Sequence, residues 1–162
     1  RDWDIIETSG HCRGHLCLYD AQDPILIAGD QVLPTISPNV SVLPSRPDAN
    51  PLREFLESLA RLEHCAPDTL VLPSHGRPFH GLHRRVEVLR SHHLQQLESL
   101  RKACRDPQAA YGLLPVMFGR PLRGYHRFLA LGETVAHLNY LWHAGDLKRT
   151  VDDAGRIHFV AG

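Results

Sequence analysis

No stretch of this 162-residue chain approaches the roughly 20 apolar residues that a membrane-crossing helix needs, and no signal peptide is visible. The four cysteines, Cys12, Cys17, Cys65 and Cys104, form no Cys-x-x-Cys pair. That argues against a zinc knuckle, and four cysteines in a chain this long do not make a disulfide scaffold. Reduced thiols and a cytoplasmic setting are expected. Charge of either sign is not in excess: 18 basic residues balance 18 acidic ones. Nothing in this balance suggests an electrostatic binder of nucleic acid or of a membrane. Internal repeats and low-complexity segments are missing too. What is present is a hydrophobic fraction of 43%, enough for a sizeable core and too much for global disorder. The length suits one ordinary domain or one and a half small ones. The first residue is Arg1 rather than Met, so the natural N-terminus is expected to lie upstream.

Residues 3–7, 15–19 and 25–28 read as strands, with Asp20 to Pro24 turning between the last two. Residues 31–50 carry Pro34, Pro38, Pro44 and Pro47 and read as a long irregular loop of the functional or mobile kind. Its stretch from Val32 to Pro44 is either a cleft wall or a packing loop. Asn50-Pro51 is a helix start, a cap followed by proline at the first helical position. Leu52, Phe55, Leu56, Leu59 and Leu62 then repeat at helical spacing. Thr69 to Leu72 reads as a short buried strand. A helix over about 82–104 places Leu82, Val86, Leu89, His93, Leu97, Leu100 and Cys104 on one stripe. After Asp106-Pro107 the pattern predicts a short helix over 107–118, a longer one over 132–144 ended by Gly145, and strands at 147–151 and 156–160. Asp152-Asp153-Ala154-Gly155 joins these strands as a hairpin turn.

Histidine is abundant, with twelve copies, which raises the expectation of metal chemistry. Three segments carry it: Gly10-His11-Cys12-Arg13-Gly14-His15, Ile27-Ala28-Gly29-Asp30 and Leu72-Pro73-Ser74-His75-Gly76. Each sets a His or Asp on a loop beside a strand, and imidazole and carboxylate are the usual ligands of Zn²⁺ and similar ions. A carboxylate at the end of a buried strand also needs a partner, because burying it alone is expensive.

The three segments in this order resemble the second half of the metallo-β-lactamase superfamily, a family of metal-dependent hydrolases. The resemblance implies an α+β fold: residues 1–105 as the C-terminal half of an αββα sandwich and 106–162 as a small winged-helix-like domain. Phe118-Gly119-Arg120-Pro121-Leu122, Glu133-Thr134-Val135-Ala136-His137-Leu138 and Gly145-Asp146-Leu147 look like members with such a tail. It also implies roles. His11 is a ligand of a first metal, Asp30 bridges two metals, and His75 is the last ligand of the second. His15 is expected to support a ligand rather than be one, and His92 is a candidate substrate contact. Asp rather than Cys at position 30 is similar to the glyoxalase II, ribonuclease and thioesterase-like members.

The family's other motif, His-x-His-x-Asp-His, is absent from this chain, and it holds the remaining ligands. The implied cofactor is a pair of zinc ions, or other divalent metals, in a protein that includes both halves. The implied reaction is attack of a metal-activated water on an ester, thioester or phosphodiester, so the expected substrate is a small-molecule ester or thioester, or RNA. This chain by itself is expected to be inactive, and either to self-associate or to pair with the missing N-terminal half. The alternative is an inactive fragment, or a winged-helix module that binds nucleic acid or protein. The wing is poorly suited to phosphate: Lys148, Arg149 and Arg156 sit beside Asp152 and Asp153. Cys12 reads as a small packed side chain, and Arg84, Arg85 and Arg90 as a solvated helix face.

Overall fold

The computed structural model of the chain describes residues 2–119 and 121–162. The described residues form two compact units, one built from residues up to Asn39 and Arg53–His92, the other from Val40–Leu52 and His93–Gly162.

The first unit is built on a four-stranded sheet in the order β1 (Asp4–Thr8), β2 (His15–Asp20), β3 (Ile25–Gly29), β4 (Leu70–Pro73). β1–β2 and β2–β3 pair antiparallel through short turns. β3–β4 is parallel, and a parallel pair needs a long crossover. Residues 30–50 and helix α1 (Pro51–Arg61) lie within that connection. α1 is tied to the end of β1 by Ser9 N–H donating to Ser58 Oγ (2.9 Å) and Arg61 donating to Glu7 O (2.7 Å).

Strand side chains alternate between faces, and the register separates two rows. Tyr19, Leu26 and Val71 stand opposite one another on the inner face and are buried, with Cys17 and Ala28 beside them. Ile5, Leu18, Ile27 and Leu72 form the matching row on the other face. That second row is apolar and open: Ile5 is 67% exposed, Ile27 39%, and Leu16 on the same face 54%.

Helix α2 (Leu82–Ala103) runs through both units. The whole stripe Leu82, Val86, Leu89, His93, Leu97, Leu100 and Cys104 is buried. The expected solvated arginine face is only partly so. Arg84 is exposed, but Arg85 is half-buried and donates to Leu33 O (2.6 Å) and Ile36 O (2.7 Å), holding the start of the proline-rich loop. Its guanidinium can do this because a planar fork serves two carbonyls at once. Arg90 pairs with Glu63 and Glu87.

In the second unit, a 3₁₀ turn at 110–113 leads into α3 (Leu114–Phe118), then α4 (Gly124–Ala144) and the hairpin β5 (Leu147–Val151) and β6 (Ile157–Ala161). Leu138 and Leu141 of α4 are buried as their spacing predicts, and Arg149 lies over the Trp142 ring at 4.4 Å. α4 starts at Gly124, eight residues before the sequence signal, and Gly132 is inside it rather than at its border. The reason is close approach: Val42 N–H donates to Gly132 O (3.0 Å), and a Cβ at 132 would meet Ser41 Oγ at 2.9 Å. The 107–118 segment is a 3₁₀ turn plus a five-residue helix rather than one short helix.

The basic residues of the β5–β6 hairpin are largely engaged. Arg149 pairs with Asp48, while Arg156 and His158 both meet Asp152. Backbone N–H groups of Ala154 and Arg156 donate to the same carboxylate. These bonds, led by the Arg156 N–H and His158, hold Asp152 down at about 2. The thiols of Cys17, Cys65 and Cys104 are buried and stand outside any disulfide. Burial pushes Cys17 and Cys65 up to about 11. Cys12 is exposed rather than packed. Among the described residues no helix is long and apolar enough to cross a membrane.

Candidate metal centre

β3 and β4 run parallel and deliver their C-terminal ends side by side, as open sheets do where they bind ligands. Asp30 follows β3, and Ser74 and His75 follow β4. Ser74 N–H donates to Gly29 O at 3.0 Å, locking the two ends together. The Ser74 hydroxyl makes a short hydrogen bond to Asp30 Oδ1. His11 arrives from the β1–β2 connection, whose Gly10 has φ +110° and no room for a side chain: a Cβ there would strike the backbone of Phe55 on α1.

The structure brings His11, Asp30 and His75 together. His11 Nε2 is 3.4 Å from Asp30 Oδ2, and His75 Nε2 is 3.5 Å from Asp30 Oδ1. The carboxylate, about a quarter exposed, thus stands between two imidazoles, one on each oxygen. His11 Nδ1 lies 2.9 Å from Asn39 O. A carbonyl only accepts, so Nδ1 carries the proton, and in the neutral ring the Nε2 lone pair faces Asp30. Two lone-pair-bearing atoms facing each other repel unless a cation or a proton lies between them.

The spacing separates the two cases. At 3.4–3.5 Å both contacts exceed the usual 2.7–3.2 Å of an N–H···O bond. Two ligands of one tetrahedral ion with bonds of about 2.1 Å stand about 3.4 Å apart. The donor set therefore fits a divalent metal on each side of Asp30. It supplies a pair of ligands to each side, not a full shell. Among the described residues no group of three or more His, Cys, Asp or Glu side chains is disposed to hold a single ion.

His15 supports this arrangement from β2. Its Nδ1 lies 2.9 Å from Thr8 Oγ1 on β1. Its Nε2 occupies the space over Gly29, where a Cβ would collide with it, and Gly29 has φ +52°. Burial first, and then the nearby His11, pull His15 below its usual value, against the pull of Asp30. Gly29→Ala should therefore be costly twice over, through the left-handed backbone and through displacement of His15. We expect a loss of about 1–3 kcal/mol in denaturant unfolding. An unchanged midpoint would show that His15 yields freely.

His92 is placed beside Arg85 on α2. Burial and then the neighbouring guanidinium depress its pKa. Sequence reading missed Ser74, the Asn39 carbonyl and Thr8. Ser74 adjoins a ligand and carries a hydroxyl, which is a signal of sorts; a backbone carbonyl leaves none. It also missed Gln31, which follows Asp30, is fully buried, and has no hydrogen-bond partner for either amide atom among the described residues.

Two family models match the chain. Residues 1–75 match the metallo-beta-lactamase superfamily, and residues 97–162 match the metallo-beta-lactamase-like C-terminal domain. The chain belongs to the metallo-β-lactamase superfamily. Among solved structures it is similar to a beta-lactamase domain protein from Burkholderia ambifaria, with 49% identity, a TM-score of 0.98, all of this chain and 48% of that chain covered. It is also similar to a metallo-beta-lactamase family protein from Thermus thermophilus, with 31% identity, a TM-score of 0.85, and 99% and 49% of the two chains covered. The chain thus spans about half the length of these solved relatives. No curated protein matches it. The superfamily's α+β fold is the one described above.

Proposed function

We propose that this chain is the C-terminal part of a metal-dependent hydrolase, with His11 and Asp30 holding one divalent ion and Asp30 and His75 a second. The observation that carries this reading is the Asp30 carboxylate set between two imidazole nitrogens at ligand-to-ligand spacing. Zinc suits the His and carboxylate donors, and other divalent ions are compatible with them. The chemistry such ions supply is a bound water of lowered pKa and stabilisation of the developing oxyanion.

The chain's own part is positional. Asn39 fixes the tautomer of His11, Ser74 fixes the carboxylate, and His15 packs under the Asp30 turn. Binding requires neutral imidazoles, so metal affinity falls as pH drops below the histidine range. The substrates proposed are esters, thioesters or phosphodiesters, in the manner of glyoxalase II or an endoribonuclease. We place the enzyme in the cytoplasm and read the α3–α4–hairpin tail as winged-helix-like. The remaining ligands belong to the other half of the fold, which also covers the open sheet face.

Calorimetric zinc titration and turnover of thioester and RNA substrates test this on a protein that contains both halves. Two bound ions per chain and a metal-dependent turnover are expected, with both lost in chelator. A two-half protein that binds no divalent ion would overturn the reading.

A further inference from the structure

The aromatic side chains of this molecule that stand largely in water are gathered in one segment. Among the described residues these are Tyr111, Tyr125 and Phe128, all within residues 107–132. That segment holds three arginines and His126 and no Asp or Glu, in a chain whose charges otherwise balance. Residues 123–128, the cap and first turn of α4, are all exposed. Tyr125 and Phe128 lie three apart on one helix face, 71% and 55% exposed, with ring centroids 6.3 Å apart and planes 24° from parallel. Arg127 donates twice to Leu122 O (3.1 and 2.9 Å), folding the preceding loop onto this turn. Arg123, His126 and Arg127 make no ion pair among the described residues, in contrast to Arg149 and Arg156 of the hairpin.

A turn whose residues are all exposed gains little folding energy from two aromatic rings, and clustered exposed apolar groups usually mark a contact surface. We propose that the Arg123–Phe128 turn binds single-stranded nucleic acid, with bases stacked on Tyr125 and Phe128 and phosphates met by Arg123 and Arg127. Flat rings interleaved with unpaired cations are the elements of sequence-tolerant single-strand binding. A duplex hides the base faces that such rings need. A lipid surface would call for a longer apolar face, but beyond Phe128 the apolar residues of α4, such as Ala130, Leu138 and Leu141, turn into the core. The charge complementarity is local, which is why it is invisible in a net charge of zero.

This surface does not depend on the metal reading, so its test is run in chelator. Fluorescence anisotropy of labelled oligo(dT) and oligo(rU) should show saturable binding by the 162-residue chain. The same strand annealed to its complement should bind more weakly. Tyr125→Ala and Phe128→Ala should each weaken binding roughly tenfold, while Tyr125→Phe leaves it intact. Arg123→Gln should weaken it for both oligonucleotides and lower the slope of log affinity against log salt by about one. All these positions are exposed, and unchanged circular dichroism and melting would confirm that the variants fold. Three results would overturn the proposal: no saturable binding; binding indifferent to loss of both rings, which is charge alone; or rings needed instead for anionic phosphatidylglycerol vesicles or for self-association in sedimentation.

Discussion

Asp30→Ala, made in a protein that carries both halves of the fold, should lower hydrolytic turnover by about three orders of magnitude while leaving the melting transition within a degree or two. The proposed bridging carboxylate touches both ion positions, so its loss removes one ligand from each. Metal catalysis is worth several kcal/mol of transition-state stabilisation, and about 4 kcal/mol is a thousandfold in rate. The fold has little to lose. The Asp30 side chain lies beyond the end of β3 and is partly solvated, and Ser74 N–H still bonds to Gly29 O. Ser74→Ala should cost less, about 10- to 100-fold, because it frees the carboxylate to rotate without removing a ligand. Zinc content by elemental analysis and turnover are read together. Full activity in Asp30→Ala would take this residue out of the site, and a larger loss in Ser74→Ala than in Asp30→Ala would mean that the serine hydroxyl has a chemical role of its own.

The sequence shows β2, β3 and β4 because each is a short apolar run closed by Asp, Gly or Pro, and β1 through Ile5-Ile6 shortly before Gly10. It shows α1 and α2 because apolar residues repeat there at helical spacing; the leucines of those repeats are buried except Leu56, which is half-buried, while Leu94 of α2 falls outside the repeat and is exposed. It misplaces the start of α4 for two reasons that tertiary packing decides. The residues of the first turn of that helix are all exposed, so 124–128 carry no amphipathic pattern. Gly132, which reads as a boundary, is kept inside the helix by the approach of residues 41–42. At the site, His11, Asp30 and His75 are legible because chemistry-bearing side chains at strand ends stand out. Their supports are not: Asn39 contributes only its carbonyl oxygen, and the role of Arg85 depends on where the carbonyls of Leu33 and Ile36 fall. Net charge hides local patterning, since it averages an acid-free cationic segment with the acid-rich remainder.

The isolated chain should associate with itself, and the open face of its sheet should be where it does so. The row Ile5, Leu18, Ile27 and Leu72 crosses all four strands, flanked by Leu16. Soluble monomers rarely leave a contiguous apolar surface of this kind in water, and a sheet normally has its apolar face covered by a second layer. The solved relatives are about twice as long as this chain, which leaves room for that layer. Burial of these side chains at about 25 cal/mol per Å² favours association, against the entropy of bringing chains together. Sedimentation velocity over a range of concentrations should therefore show a reversible shift above the monomer, and Ile27→Asp with Leu16→Asp should return it to the monomer. The other half of the fold, added as a separate polypeptide, should compete with self-association and raise zinc affinity above the weak binding expected of the chain alone. A monomer at all concentrations that binds two zinc ions at submicromolar affinity would show that this half of the fold is complete without its partner.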